Sequence, residues 1–169
     1  LFERLDDVAD DGTDGDESGA PSALTVRMGG MELGVVLGWM STRVLGQYDL
    51  LVVEDEAIVG LLMSDRLQAG GVDVTLFQDG ATAARQADGR EFDLAFVDLS
   101  LPGMAGDEVA RQLRTQNPAI VLVLISGWDL ADEDPRLAPF DAFLQKPFDV
   151  AVLDRALGAA LQLTRQRQH

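Results

Sequence analysis

The chain from Asp49 onward predicts an α/β fold in which helices cover both faces of a five-stranded parallel sheet. Short runs rich in Val and Leu alternate there with segments of helical periodicity, the pattern expected of βα units. The strand runs are mostly continuous in their apolar character, not apolar at alternate positions, which indicates a sheet buried on both faces. The length of 169 residues suits one such domain with a shorter appendage.

Five strands and four helices are predicted in alternation. The strands are expected at 50–53, 72–76, 93–97, 120–125 and 142–145, and the helices at 56–69, 80–88, 105–116 and 149–163. The first helix carries a mostly apolar stripe made of Ile58, Leu61, Leu62, Asp65 and Leu67. Gly70-Gly71 ends that helix, since glycine is favoured just past a helix C-terminus.

The stretch 128–140 interrupts the alternation. It is acidic, and Pro135 and Pro139 break it into short pieces. Proline removes a backbone donor and clashes with the preceding helical turn, so a long regular helix is not expected there. The fold therefore has a short or irregular fourth helix.

Residues 1–46 are expected to form an extension of the domain at 47–169. Residues 1–23 are acidic and rich in glycine, a composition that predicts disorder. A calcium loop at 10–16 is disfavoured, because it lacks the downstream Glu and the flanking helices. Residues 24–46 are apolar but rich in glycine, and we expect a loosely docked helix or a leader. Because the chain opens on Leu1, it is expected to be a fragment or to carry an upstream extension before Met40.

Composition excludes several classes of function. The chain has no Cys, which removes disulfides and thiolate metal sites. Its one histidine is His169, so a buried histidine site or an internal phosphohistidine is not expected. The net charge of −16 disfavours direct binding to nucleic acid or to an anionic membrane surface. The longest apolar run, 31–39, is too short to span a bilayer, and no secretory signal is visible, so a cytoplasmic protein is expected.

Reactive side chains stand at the ends of three predicted strands. Asp98 ends the run 92–98, Glu54 and Asp55 follow the first strand, and Lys146 follows the last. The carboxyl ends of parallel strands are where open α/β sheets hold their ligands. We therefore expect these side chains to share one site.

The residue types in this site suit phosphoryl transfer. Adjacent carboxylates at Glu54 and Asp55 repel each other unless a cation lies between them, and oxygen ligands of this kind suit Mg²⁺. Asp98 is expected to add a third carboxylate oxygen and to attack phosphorus. Lys146 offers a compact positive charge to the phosphoryl oxygens, and Ser126 offers a hydroxyl donor.

Four motifs together resemble the response-regulator receiver domain of two-component signalling. They are Leu51-Val52-Val53-Glu54-Asp55-Glu56, Val97-Asp98 with the turn 99–106, Ile125-Ser126-Gly127, and Leu144-Gln145-Lys146-Pro147-Phe148. The resemblance covers Asp49 to about Leu163. It implies a flavodoxin-like strand order 2-1-3-4-5 and a cis bond between Lys146 and Pro147.

The resemblance also implies roles for individual residues. Asp98 falls on the phosphoacceptor position, and the Mg²⁺ ligands fall on Glu54, Asp55, Asp98 and the main-chain carbonyl of Ser100. Ser126 and Lys146 fall on the conserved hydroxyl and lysine. Phe143 falls on the aromatic switch; it has no hydroxyl, so a switch there would act by burying or exposing its ring.

Partners follow from the same resemblance. The implied phosphodonor is a histidine kinase or a histidine phosphotransfer protein, and the implied output is contact with a downstream protein, with only slow self-dephosphorylation as enzymatic activity. Only 164–169 follow the last predicted helix, so no output domain is expected. Dimerisation through a fourth helix is disfavoured, which leaves a monomer or a weak dimer.

Two other functions remain open. The chain can be the C-terminal receiver of a hybrid histidine kinase, with 1–46 as linker. An Asp-nucleophile phosphatase is disfavoured, since its general acid would stand two residues after Asp98, where this chain has Ser100. Trp128 either packs over the site or belongs to a partner surface.

Overall fold

The computed structural model describes residues 3–4, 23–28, 31–36 and 48–168. They belong to two units, one formed by Leu1–Val8 with Tyr48–His169 and the other by Ala9–Gln47. In chain order the strands are β1 (Glu3–Arg4), β2 (Ala23–Met28), β3 (Met31–Val36), β4 (Asp49–Val53), β5 (Asp73–Phe77), β6 (Leu94–Asp98), β7 (Val121–Ser126) and β8 (Ala142–Gln145). The helices are α1 (Ala57–Ala69), α2 (Gly80–Gln86), α3 (Gly106–Gln116) and α4 (Val150–Arg167).

The larger unit is built on a parallel sheet whose central order confirms the predicted topology. The strands lie in the order β5-β4-β6-β7-β8, which is 2-1-3-4-5 for the five predicted strands. All of these pairs are parallel. The two-residue strand β1, which was not predicted, adds to the outer edge of β8 and pairs Arg4 with Phe143.

Helices cover both faces of the sheet, so the fold is doubly wound as predicted. Leu50, Val52, Leu94 and Phe96 pack on one face, with side chains from α1 and α4. Leu51, Val53, Ala95 and Val97 pack on the other, with side chains from α2 and α3. Burial on both faces explains why the runs 50–53 and 94–97 are apolar at every position.

Side-chain caps fix the starts of two helices. Asp79 accepts a hydrogen bond from the Thr82 amide at 2.7 Å at the start of α2. Asp149 accepts one from the Val152 amide at 2.8 Å at the start of α4. Both satisfy amides that a helix N-terminus leaves without an intrahelical partner.

The crossover between β7 and β8 is irregular, as predicted for 128–140. Its one helical segment is a 3₁₀ turn at Pro135–Leu137. Three apolar side chains (Leu130, Leu137 and Phe140) pack this crossover into the core beside α3. The crossover is therefore held by buried anchors in place of a regular helix.

The apolar stripe of α1 is not the face that packs on the sheet. The buried residues of α1 are Gly60, Met63, Ser64 and Leu67. Ile58, Leu61 and Leu62 are 74%, 62% and 67% exposed. Only Leu67 of the stripe is buried, because apolar residues occupy both sides of this helix and periodicity alone did not identify the inner one.

The smaller unit contains an antiparallel hairpin where we expected a helix. β2 pairs with β3 from Ala23 with Val36 to Met28 with Met31. Gly29-Gly30 between two apolar runs is a recognised hairpin signal, and Thr25 and Val26 favour strands. The predicted disorder of 1–23 and the calcium loop at 10–16 lie almost entirely outside the described residues.

Candidate functional site

The sheet brings the predicted site residues to one edge. Asp98 is the last residue of β6, Ser126 is the last residue of β7, and Glu54 directly follows β4. Lys146 directly follows β8, and its amide donates to the Ser126 carbonyl at 2.8 Å. Because the strands are parallel and in register, their carboxyl ends meet at this edge.

The Asp98 carboxylate is buried and held by two donors. The Ser100 amide donates to its Oδ1 at 2.8 Å, and Lys146 Nζ donates to its Oδ2 at 2.5 Å. The residue is 5% exposed. One oxygen is thus fixed by the backbone, while the other faces the lysine.

Lys146 connects two of the carboxylates. Its ammonium also donates to Glu54 Oε2 at 2.7 Å, and Glu56 Oε1 lies 4.0 Å away. The peptide bond between Lys146 and Pro147 is cis, as the resemblance implied. Lys146 thus orders the buried edge of the site, while Glu56 remains exposed at its rim.

The pKa values of Glu54 and Lys146 are both raised, but for different reasons. Burial raises the pKa of Glu54 above its usual range, and repulsion from Asp98 adds to the rise, while the bond from Lys146 opposes it. Burial alone would lower the pKa of Lys146, but its bonds to Asp98 and Glu54 outweigh that effect and raise its pKa. Lys146 is therefore a permanent cation at neutral pH.

Three carboxylates converge at this edge. Glu54, Asp55 and Asp98 each offer an oxygen, and these atoms all lie within 4.8 Å of one another. Glu54 is fully buried, whereas Asp55 is exposed. The single charge of Lys146 does not balance three carboxylates, so a divalent cation fits the donor set.

The remaining predicted residues lie around this cluster. Ser126 is fully buried, and its Oγ accepts a hydrogen bond from the Trp128 amide at 3.0 Å. Ser100 follows Asp98 by two residues and is exposed. Phe143 is fully buried and pairs with Leu124 across β7 and β8.

Two features of the site were not recognised from sequence. The Trp128 indole N–H donates to Ser100 Oγ at 3.0 Å, joining the loops after β7 and β6. In addition, a cavity of about 700 Å³ opens between α1 and the start of α4 and reaches Gly127 and Lys146. The second apolar side of α1 was a sequence signal for the cavity, whereas no sequence signal marks the bond from Trp128 to Ser100.

Fold and site together define a receiver domain of two-component signalling. The family model described as the response regulator receiver domain matches residues 50–158, and the chain belongs to that family. Phosphorelay signalling is the function of this class of domain, as the motifs implied. None of the helices in the described part of the chain is both long and apolar enough to cross a membrane.

Curated relatives support this assignment. The two-component response regulator PhoP of Pseudomonas aeruginosa is 36% identical over 115 residues, which cover 67% of this chain and 51% of that protein. The probable transcriptional regulatory protein TcrX of Mycobacterium tuberculosis is 30% identical over 119 residues, which cover 68% and 50%. The chain thus spans about half the length of these relatives.

Solved structures show the same fold. A CheY-like receiver domain from Methanospirillum hungatei matches with a TM-score of 0.67 at 20% identity, covering 72% of this chain and 98% of that one. The receiver domain of the sensor histidine kinase PA1611 from Pseudomonas aeruginosa matches with a TM-score of 0.62 at 27% identity, covering 69% and 99%. That structure holds a magnesium ion coordinated in its active-site cleft.

Proposed function

We propose that this chain receives a phosphoryl group on Asp98 from a histidine kinase or a histidine phosphotransfer protein, in a Mg²⁺-dependent reaction. The observation that carries the proposal is the placement of Asp98. Its Oδ2 lies 2.5 Å from Lys146 Nζ, at the edge where Glu54 and Asp55 converge with it. Labelling of Asp98 by a small acyl-phosphate donor in the presence of Mg²⁺ tests this proposal.

In the proposed transfer, Asp98 Oδ2 attacks the phosphorus of the donor phosphohistidine. The new P–O bond forms as the P–N bond breaks, and the electron pair of that bond stays on the histidine nitrogen. Ser100 holds Oδ1 through its amide and so orients the attacking oxygen. Lys146 then pairs with a phosphoryl oxygen, and the Ser126 hydroxyl, whose oxygen already accepts the Trp128 amide, donates its proton to another.

The proposed metal ligands are Glu54, Asp55, Asp98 and the Ser100 carbonyl. Mg²⁺ bound there would neutralise charge on the transferring phosphoryl oxygens. The convergence of three carboxylates supports this choice, and so does the magnesium ion in the PA1611 receiver domain. Asp55 is the exposed carboxylate of the three, so it is the proposed ligand that a water molecule can replace most readily.

The proposed output is binding to a downstream protein by a monomer or weak dimer in the cytoplasm, where the ATP that charges histidine kinases is found. Phe143 is the proposed switch, and it is fully buried in the described state. Exposure of its ring after phosphorylation would present a new surface. In this proposal the chain is a signalling domain, and its enzymatic activity is limited to slow hydrolysis of its own acyl phosphate.

A second candidate is the receiver of a hybrid histidine kinase. The likeness to the PA1611 receiver domain, which belongs to a sensor histidine kinase, favours this alternative. Both candidates use the same acceptor chemistry on Asp98. They differ in the gene that encodes the chain: a kinase catalytic region upstream of Leu1 would decide for the hybrid form.

If Glu54 is a Mg²⁺ ligand, Glu54→Gln should have opposite effects on the melting temperature, relative to wild type, with and without Mg²⁺. In EDTA the variant should melt a few degrees higher than wild type, because a buried carboxylate that costs folding energy has been removed. The raised pKa of Glu54 means that this cost is absent below the pKa of the unfolded carboxyl and reaches its full value above the folded pKa. The gain should therefore be present at pH 8 and vanish near pH 4.

Thermal melts with increasing Mg²⁺ complete this test. Wild type should be stabilised in proportion to the logarithm of the Mg²⁺ concentration, and Glu54→Gln should not respond. Gln68→Glu, which changes one charge on the exposed surface of α1, is the control and should respond as wild type does. An equal response of Glu54→Gln and wild type would exclude Glu54 as a ligand.

The exposed apolar side of α1 supports a protein phosphodonor. Leu62 lines the same cavity as Gly127 and Lys146, so this apolar surface borders the acceptor site. Leu62→Gln should slow transfer from a phosphorylated histidine phosphotransfer protein by about tenfold, the effect of losing one buried leucine contact. Labelling by a small acyl phosphate should not change, because that donor needs no docking surface.

Both donors should be tested on Leu62→Gln and on Gln68→Ala, which alters an exposed polar residue of α1 away from the cavity lining. Rates are measured by intact-protein mass spectrometry. The docking role is wrong if Leu62→Gln takes phosphoryl groups from the protein donor as fast as wild type does.

A further inference from the structure

The short strand β1 lies on the outer edge of the sheet, beside β8. β8 is the outermost of the five strands predicted from sequence, and β1 adds outside it. The two strands are parallel, with Glu3 opposite Ala142 and Arg4 opposite Phe143. The next strand of this sheet along the chain begins only at Asp49, so β1 reaches the edge from a distant part of the sequence.

β8 lacks the charged residues and prolines that commonly protect an edge strand. An open edge presents backbone N–H and C=O groups to any extended chain, and natural proteins guard such edges with charges or with proline. β8 consists of Ala142-Phe143-Leu144-Gln145, which includes neither. The opposite edge strand, β5, begins instead with the charged residue Asp73. The edge of β8 is therefore the less protected of the two.

The side chains of β8 are covered on both faces, so its outer backbone is the part that another chain can bind. Ala142 and Leu144 pack with side chains of α4 on one face. Phe143 packs on the other face, in the same cluster as Leu137 and Phe140 of the crossover. All three β8 side chains are fully buried. A segment added at this edge would be held by main-chain hydrogen bonds, the mode in which extended peptides join a sheet.

β1 is a short occupant of this edge. Its described pairing covers Ala142 and Phe143, two of the four residues of β8. A two-residue strand makes few backbone hydrogen bonds, and each contributes only modestly in water. A longer extended segment would pair with Leu144 and Gln145 as well. β1 is therefore suited to be displaced by a longer strand.

We propose that the outer edge of β8 is a binding site for an extended polypeptide segment, and that β1 blocks this site in cis. A partner protein adds its own segment to the sheet as a parallel strand, in the place of β1. An occupant of the edge lies beside Phe143 and three residues from Lys146, which bonds Asp98. Strand addition itself does not require phosphorylation of Asp98, so the inference goes beyond the proposed function.

Hydrogen exchange tests whether β1 covers the edge. Proline has no amide hydrogen, and the amides of consecutive strand residues point to opposite sides. Glu3→Pro combined with Arg4→Pro therefore removes the amide that faces β8. In this double variant, the β8 amides that face β1 should exchange about fivefold faster by NMR, the effect of losing about one backbone hydrogen bond. The Lys146 amide, which donates to the Ser126 carbonyl on the β7 side, should keep its rate.

Two controls accompany the exchange measurement. Ser18→Pro combined with Gly19→Pro makes the same kind of change outside the described strands, and it should leave exchange in β8 unchanged. The wild-type rates should also be independent of protein concentration, because β1 pairs within its own chain. The unchanged Lys146 amide shows that the double variant remains folded.

A peptide supplied in trans tests whether the edge accepts a strand. The probe is a fluorescently labelled peptide of residues 1–8, LFERLDDV, and its binding is measured by fluorescence anisotropy. The double variant should bind this peptide about tenfold more tightly than wild type does, because tethered β1 competes at an effective concentration in the millimolar range. The same peptide carrying Glu3→Pro and Arg4→Pro should bind neither protein.

Unchanged exchange in the double variant would overturn the inference, because β1 would then not cover the edge. A peptide of residues 1–8 that binds both proteins equally, or neither, would also overturn it, since the edge would not be a strand site that β1 blocks. Wild-type exchange that slows as the protein concentration rises would assign the covering strand to a second copy and contradict pairing in cis. Neither measurement uses a phosphoryl donor, so failure here leaves the proposed transfer to Asp98 intact.

Discussion

Asp98→Asn is expected to abolish phosphoryl labelling of the chain, with a loss of at least about a thousandfold in rate. An amide oxygen is a far weaker nucleophile than a carboxylate, so no acyl phosphate forms. The geometry around residue 98 survives the change, because the asparagine oxygen can still accept the Ser100 amide that now binds Oδ1 at 2.8 Å. The measurement is intact-protein mass spectrometry after incubation with a small acyl phosphate and Mg²⁺.

Asp88→Asn is the matched control for this substitution, because it makes the same chemical change at an exposed position. It should label as wild type does. Melting curves for both variants establish that the protein remains folded. If Asp98→Asn takes up phosphoryl groups at the wild-type rate, the acceptor is another residue.

Gly106→Ala is expected to destabilise the domain by about 3 kcal/mol. A Cβ at Gly106 would lie 2.0 Å from the Asp98 carbonyl oxygen and 2.9 Å from the Leu99 Cα. Both are backbone atoms, which cannot rotate away as a flexible side chain can, so the chain itself must shift. Because the displaced backbone carries Asp98, slower phosphoryl labelling should accompany the loss of stability.

Chemical denaturation gives the change in the free energy of unfolding, with Gly158→Ala as control. Gly158 lies within α4, and a Cβ there meets no atom within 4 Å. Alanine should stabilise that helix by about 0.5–1 kcal/mol, the usual gain over glycine in a helix. Equal effects of the two substitutions would show that α3 does not press against the backbone of Asp98.

The sheet and the polar edge followed from sequence because their signals are local. A strand buried on both faces is apolar along most of its length, and four of the five strand runs stop at a charged or hydroxyl residue, as at Glu54, Asp98 and Ser126. The structure places the strand bounds within one residue of the predicted ones. Parallel pairing then brings the strand ends together without further information.

Two of the features that escaped prediction depend on contacts between distant parts of the chain. Ile58 and Leu62 satisfy helical periodicity as well as Met63 and Leu67 do, so only the packed sheet distinguishes the inner face. The bond from Trp128 to Ser100 joins residues 28 positions apart through side-chain geometry that no spacing rule encodes. The hairpin of β2 and β3 was missed because glycine was read as weakening a helix, not as a turn.

The site also concentrates charge at a cost to the folded state. Glu54 is fully buried, and its pKa is raised by burial and by Asp98, yet it contributes nothing to the core. A structural role would favour a neutral residue at this position. Retention of a carboxylate there is physically reasonable when a cation and a phosphoryl group are to be bound at the same edge.

Chemical trapping of the labelled protein locates the phosphoryl group directly. An acyl phosphate on an aspartate is reduced by borohydride to homoserine, and peptide mass spectrometry identifies the residue that has changed. Wild-type protein labelled with acyl phosphate and Mg²⁺ should yield homoserine at position 98, and protein labelled in EDTA should yield far less. Homoserine at position 55, the longer alcohol 2-amino-5-hydroxypentanoic acid at position 54, or no reduced residue anywhere in a labelled chain would contradict transfer to Asp98.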